Sequence, residues 1–233
     1  MTLTVGMITC NRKPSYIRQT LHSYSLEWDE PIIFAPDYGA VVPSMASPTL
    51  RLGNGLELGA VRNWLRLATW MKENRITDHY LIMEDDIEWT VGSARAVRAL
   101  LMYEKPTGMV SPYCSINNSW KNATGWFNPR MATPTSWCGA LSIVLSRQAL
   151  VDIVNDSEFF IAQASKAFDR PIHLDCAISA TLLKHRHMIL THGPSLVLHT
   201  GTVSTFSANN TNEAECCDAR LPFQGDSPYP PIA

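Results

Sequence analysis

Apolar residues occur along this chain either as short uninterrupted runs or as longer stripes at helical spacing. Leu3–Thr9 predicts a first strand, and Tyr16, Ile17, Leu21 and Tyr24 then recur with a helical period. Between them, Asn11 to Ser15 form a polar turn, with Pro14 near a helix start. Pro31–Pro36 predicts a second strand, and residues 37–58, rich in Pro, Gly and Ser, predict a connection. Leu58, Val61, Leu65, Ala68 and Met71 form an apolar stripe, so a helix is expected from Leu58 to Lys72. The run Tyr80–Met83 has the pattern of a buried strand. A helix near 92–104 and strands at Gly108–Pro112 and Gly139–Leu145 follow, and a helix starts at Ser146. A second helix at 174–184 and short strands at Met188–Leu190 and Ser195–His199 complete the alternation. Such an order predicts an α/β domain with a mixed, mostly parallel sheet and helices on both faces.

Two stretches break the rhythm. Residues 112–137 hold Trp120, Trp126, Phe127 and Trp137 among Asn, Ser, Gly and Pro, without periodicity. This fits a binding lid, or an irregular hairpin whose tryptophans cap the core. From Ser204 onward the chain is polar and Pro-rich, so a single domain is expected over 1–204, with 205–233 as a tail across its surface.

Composition narrows the function classes. A length of 233 residues with 45% hydrophobic content suits one large domain with a sizeable core. The net charge of -2 gives no support to non-specific nucleic-acid binding. No apolar run reaches the roughly 18 residues of a transmembrane helix. The first residues read as a strand rather than a signal peptide. Six cysteines without a CxxC pair then predict reduced thiols in a cytoplasmic protein, bacterial or in a phage-infected host cell.

The chemistry concentrates where the strand Tyr80–Met83 ends in Glu84, Asp85 and Asp86. Open α/β sheets place ligands at the carboxyl ends of their strands. Three adjacent carboxylates repel one another, so either they form a solvated acidic turn or a divalent cation neutralises them.

Taken in order, several segments resemble the GT-A fold of nucleotide-sugar glycosyltransferases, over roughly residues 3–204. They are Thr9-Cys-Asn-Arg12, Gly59-Ala-Val-Arg-Asn63, Glu84-Asp85-Asp86, Trp137-Cys-Gly-Ala140, His173-Leu-Asp175 and Pro194–Ser204. Glu84-Asp85-Asp86 is a variant of that family's DxD signature, with Glu in the first place, and the closing stretch is similar to that of inverting members.

The resemblance implies a UDP-sugar donor and a Mn²⁺ or Mg²⁺ ion. Asp86 and His199 would ligate the metal, and an imidazole ligand favours Mn²⁺. Thr9, Arg12, Arg62, Asn63, Glu84, Asp85 and Gly139 would face the donor, Gly139 where backbone approaches the sugar. Asp175 would be the base that takes the acceptor's proton, although Asp at that place also suits a helix N-cap. Arg62 on its own fits a solvated helix face, and His199 a satisfied core-edge imidazole.

Trp120, Trp126 and Trp137 are candidate acceptor platforms, suited to a sugar face or a splayed base. The acceptor is left as a glycan, a protein or hydroxymethylated DNA. A DNA acceptor predicts a basic footprint drawn from Arg95, Arg98, Lys121, Arg130, Lys184, Arg186 and His187. Two other classes stay open. A nucleotidyltransferase also uses acids at a strand end, but favours a Gly-rich loop after the first strand. A catalytically silent sugar-nucleotide or glycan-binding module would bind without turnover.

Overall fold

Leu3–Thr9 forms β1, buried from Thr4 to Thr9 because neighbours cover both of its faces. A computed structural model of the chain describes residues 1–11, 15–43, 50–51, 58–104, 107–114, 124–129, 137, 139–166 and 174–201. Helix α1 (Ile17–Glu27) leads to β2 (Ile32–Pro36) and the two-residue β3 (Leu50–Arg51). Helix α2 (Gly59–Asn74) then returns to β4 (His79–Glu84), which turns sharply into β5 (Ile87–Trp89). The order continues with α3 (Ser93–Tyr103), β6 (Met109–Ser111), β7 (Gly125–Phe127) and β8 (Ser142–Ser146). Helices α4 (Arg147–Asn155), α5 (Ser157–Lys166) and α6 (Leu174–Lys184) precede β9 (Ile189–Gly193) and β10 (Val197–His199).

Among the described residues the main sheet has eight strands in the order β3-β2-β1-β4-β8-β6-β9-β7, and β10 with β5 makes a separate ribbon. The pairs β1–β2, β1–β4, β2–β3 and β6–β9 are parallel, whereas β8 runs antiparallel to both β4 and β6. The sheet is therefore mixed and mostly parallel, as expected. The carboxyl ends of β1, β2 and β4 share one edge of it.

Helices cover both faces. Ile8, Ile33, Ala35 and Ile82 point into a core with residues of α2, α4, α5 and α6. Their strand neighbours Met7, Phe34, Leu81 and Met83 point into a second core with residues of α1 and α3. This period-two split assigns one sheet to two cores in a single domain. On the α2 side, Trp64 and Phe160 stack with ring centroids 5.4 Å apart.

Four local features differ from the sequence reading. The expected connection 37–58 contains β3, and β5 is a strand of its own. The aromatic stretch contains β7, which extends the sheet by pairing with β9. The helix that Ser146 caps, through Ala149 N–H at 3.3 Å, ends at Asn155, and α5 follows. The expected tail at 205–233 lies outside the described residues.

Candidate active site

The acidic strand end is held from three sides. Glu84 N–H donates to Leu141 O at 2.9 Å, which anchors the end of β4 to the start of β8. Asp85 is 2% exposed, and its Oδ2 accepts Cys10 N–H at 3.3 Å, so it grips the end of β1. Asp86 is equally buried, and its carboxylate turns toward β10. There His199 Nε2 lies 3.0 Å from Asp86 Oδ2, and Thr200 N–H donates to Asp86 O at 2.8 Å.

The β5–β10 ribbon produces this meeting by pairing Ile87 with His199. Behind it, Ser195 Oγ donates to Val197 O at 2.6 Å and accepts Cys114 N–H at 3.1 Å. That hydroxyl ties the approach to β10 to the end of β6.

The Asp86–His199 pair fits a divalent ion. Its side chains are 3% and 16% exposed, and it mixes an oxygen with a nitrogen donor. The 3.0 Å separation is that of a hydrogen bond, and equally that of adjacent ligands on an octahedral ion with bonds of about 2.1 Å. Among the described residues no group of three or more His, Cys, Asp or Glu side chains converges on a metal position. The protein would thus supply two donors and leave other positions to ligand oxygens and water, as hard cations at phosphate sites commonly require.

Beside Glu84 and Asp85 lies a narrow recess of about 20 Å³, room for about one water molecule, lined by Ile8, Thr9, Cys10, Asp37, Ala60, Asn63, Glu84 and Asp85. It brings Thr9, Asn63, Glu84 and Asp85 together from the expected donor-facing set. Thr9 is 3% exposed, and its hydroxyl has no hydrogen-bond partner among the described residues. Asn63 is a scaffold amide here: Nδ2 donates to Ala35 O at 2.8 Å and Oδ1 accepts from Arg66 Nη2 at 2.7 Å. Arg66 Nη2 also reaches Pro36 O at 2.8 Å. Burial pulls the Arg66 guanidinium below its ordinary value, and the Asp37 charge opposes that pull.

Asp37 and Arg66 escaped the sequence reading. Asp37 accepts Leu58 N–H at 2.8 Å and Gly59 N–H at 2.9 Å, and so caps the start of α2, where Gly59 has φ +70°. The signal for Arg66 was its place three residues after Asn63 on one helix. Arg62 is exposed in the first turn of α2, and Arg12 lies outside the described residues.

Asp175 stands in the first turn of α6, within the helix rather than capping it from before. Its Oδ1 accepts Ala140 N–H at 2.7 Å. Gly139, just before, has φ +149°, a backbone that favours glycine, and a Cβ there would lie 2.9 Å from Trp137 Cζ2. The group that Gly139 closely approaches is the indole of Trp137, whereas the expected approach was to the donor sugar. Trp137 itself is 0% exposed. Its ring belongs to the α2-side core, so the expectation of an acceptor platform is corrected: no face of the ring is available.

Trp126 on β7 is half-buried and meets the His192 ring edge-on, with centroids 4.8 Å apart. Burial lowers the pKa of His192, whose Nδ1 lies 2.7 Å from Pro194 O. Trp120 lies outside the described residues.

The expected basic footprint is divided. Arg95 and Arg98 sit on α3, and Arg98 is engaged with Glu30 at 2.6 Å and stacked over Trp28. Lys184, Arg186 and His187 lie on the opposite face of the sheet, where α6 ends. Its 11 residues carry them roughly 15 Å from Asp175. Lys184 pairs with Asp156 at 2.6 Å and His187 with Asp152 at 2.7 Å. The described cations therefore form no single stripe, and Lys121 and Arg130 lie outside the described residues.

Among the described residues no helix is long and apolar enough to cross a membrane. No protein-family model and no curated protein matches the chain. Solved structures do. The chain is similar to a nucleoside-diphosphate-sugar pyrophosphorylase from Vibrio cholerae RC9, at TM-score 0.50 and 11% identity, over 85% of this chain and 95% of that one. It is also similar to a UDP-glucose pyrophosphorylase from Acinetobacter baumanii, at TM-score 0.51 and 10% identity, over 85% and 89% of the two chains. At these identities the likeness is one of fold.

Proposed function

We propose that this chain is a divalent-cation-dependent glycosyltransferase that moves a sugar from a UDP-sugar to an acceptor hydroxyl with inversion. The observation that carries the reading is the Asp86–His199 pair, 3.0 Å apart, with Asp86 directly following Glu84 and Asp85, which line the recess at the ends of β1 and β4. A Mn²⁺ or Mg²⁺ ion held there would act as a Lewis acid on the departing diphosphate.

The chain's own residues supply the rest. Thr9, Glu84 and Asp85 line the donor recess, with Asn63, Arg66 and Asp37 holding α2 against β2 to form its wall. Asp175 would receive the acceptor's proton while the acceptor oxygen attacks the anomeric carbon and the bond to the diphosphate breaks. The carboxylate is aimed by Ala140 N–H, one residue before the Leu141 carbonyl that anchors Glu84. Arg62, exposed on α2, is assigned to a donor phosphate from solvent. Trp126 is the described candidate for an acceptor ring. The acceptor is a glycan or protein hydroxyl in preference to hydroxymethylated DNA, because the described basic side chains are split between two faces.

One observation favours a second reading, nucleotidyl transfer, in which pyrophosphate would convert a nucleotide-sugar to a nucleoside triphosphate and a sugar phosphate. Two solved structures that share this fold are pyrophosphorylases. Against it, the chain has no glycine between Gly6 and Gly39, so the segment after β1 lacks the Gly-rich phosphate loop such chemistry favours.

One incubation separates the readings: the protein with Mn²⁺ and a panel of UDP-sugars, with and without pyrophosphate and with candidate acceptors. Acceptor-dependent UDP release supports glycosyl transfer. UTP formed only with pyrophosphate replaces it with nucleotidyl transfer, and UDP binding without either product leaves a silent module.

A further inference from the structure

The turn that presents Asp86 is held from α1. Thr20 is 0% exposed; its hydroxyl donates to Asp85 O at 2.8 Å, and the same Oγ1 accepts Ile87 N–H at 3.1 Å. These two groups belong to the peptide units on either side of Asp86. Thr200 N–H takes the carbonyl of Asp86 itself, at 2.8 Å. One hydroxyl on one helix thus bridges both backbone planes that set where the Asp86 carboxylate points.

A threonine inside a helix commonly returns its hydroxyl to its own helix. Thr181 on α6 does so, bonding Ala177 O at 2.7 Å. Thr20 instead faces the acidic turn. One turn later on α1, Ser23 Oγ accepts Trp89 N–H at 3.1 Å, so the helix supports β5 along its length.

We propose that Thr20 is a positioning residue for the divalent ion, fixing the Asp86 carboxylate in register with His199 Nε2. The inference rests on Asp86 and His199 being the metal ligands. Groups behind a metal ligand fix its direction, and losing one typically weakens metal binding about 10–100-fold. Valine matches threonine in shape but carries no hydroxyl, so Thr20→Val releases both peptide planes. Serine keeps the hydroxyl.

The test is Mn²⁺ binding by the full chain with saturating UDP, read as the loss of the free-Mn²⁺ electron paramagnetic resonance signal, well below each variant's melting temperature. Thr20→Val is expected to raise the Mn²⁺ dissociation constant about tenfold or more, with Thr20→Ser close to the parent. Should Thr20→Val fail to fold, Thr20→Cys carries the same expectation, because a thiol is a weak donor and acceptor. Parental Mn²⁺ affinity in the valine or cysteine variant, alongside loss of binding in Asp86→Ala, overturns the role of Thr20 alone. Parental affinity in Asp86→Ala overturns the metal site itself and the Thr20 proposal with it.

Discussion

Asp175 Oδ1 accepts the backbone N–H of Ala140 at 2.7 Å, which joins the first turn of α6 to the residues that lead into β8. The next residue, Leu141, accepts Glu84 N–H at 2.9 Å. The candidate base and the acidic strand end are therefore parts of one backbone-bonded frame. Asparagine keeps an oxygen to accept Ala140 N–H but cannot take a proton. Asp175→Asn should accordingly fold like the parent while transfer falls about 10²–10⁴-fold, the usual worth of a general base, with little change in donor KM. Parental turnover in that variant, measured as acceptor-dependent UDP release, removes Asp175 from the role of base.

The two proposed metal donors should fail differently. Asp86→Ala removes the hard oxygen ligand and should abolish Mn²⁺-dependent turnover at any accessible Mn²⁺ concentration. His199→Ala leaves the carboxylate and removes the nitrogen donor, which favours Mn²⁺ over Mg²⁺. Its turnover should recover at high metal, with the preference for Mn²⁺ over Mg²⁺ diminished. Asp85→Ala breaks a bond to Cys10 N–H and should chiefly cost stability, on the order of 1–3 kcal/mol. Titrations of turnover against each metal, beside a urea melt, check the three. Identical metal profiles for Asp86→Ala and Asp85→Ala contradict the assignment.

Much of the frame was legible in sequence because it rests on local pattern. Leu81, Ile82 and Met83 are apolar in succession because β4 is covered on both faces, and that run ending in acids marked its end of the sheet. What escaped depends on contacts distant in sequence. That His199 would meet Asp86, 113 residues away, was implied by the family resemblance alone, because the ribbon that joins them is made of three-residue strands too short to show a period. Asn63 lines the recess, and the bonds of its amide to Ala35 and Arg66 carry no mark in the sequence. Trp137 sits among polar residues, and nothing in its neighbourhood signals that its ring is buried close against Gly139. Thr20 carries no sequence mark at all, since a lone hydroxyl in a helix is silent until its partners are known.

Gly139 offers a test of the frame that touches no ionisable group. Alanine there must adopt φ +149° and place a Cβ 2.9 Å from Trp137 Cζ2, in a ring that is fully buried. Backbone strain of this kind costs about 1–3 kcal/mol, and its relief would shift Ala140 and the bond to Asp175. Gly139→Ala should therefore lower both the urea midpoint and kcat. An unchanged midpoint with unchanged kcat shows that the segment accommodates a Cβ and that this geometry is not required.

Two buried histidines predict how stability depends on pH. Burial lowers the pKa of His192 on β9 from its ordinary 6.5, opposed by the Pro194 carbonyl. Burial also lowers that of His79 on β4, opposed by Asp78. Both are held neutral in the fold, whereas the unfolded chain protonates them near pH 6.5. Below that pH the unfolded state binds more protons, so stability is fully present above about 6.5 and falls as the pH drops toward the depressed folded values. Urea midpoints taken from pH 7.5 down to 5 should decline across this window. His192→Asn, which cannot titrate there, should have a shallower decline than the parent even if it starts from a lower midpoint. An equally steep decline in His192→Asn assigns the acid sensitivity to other groups.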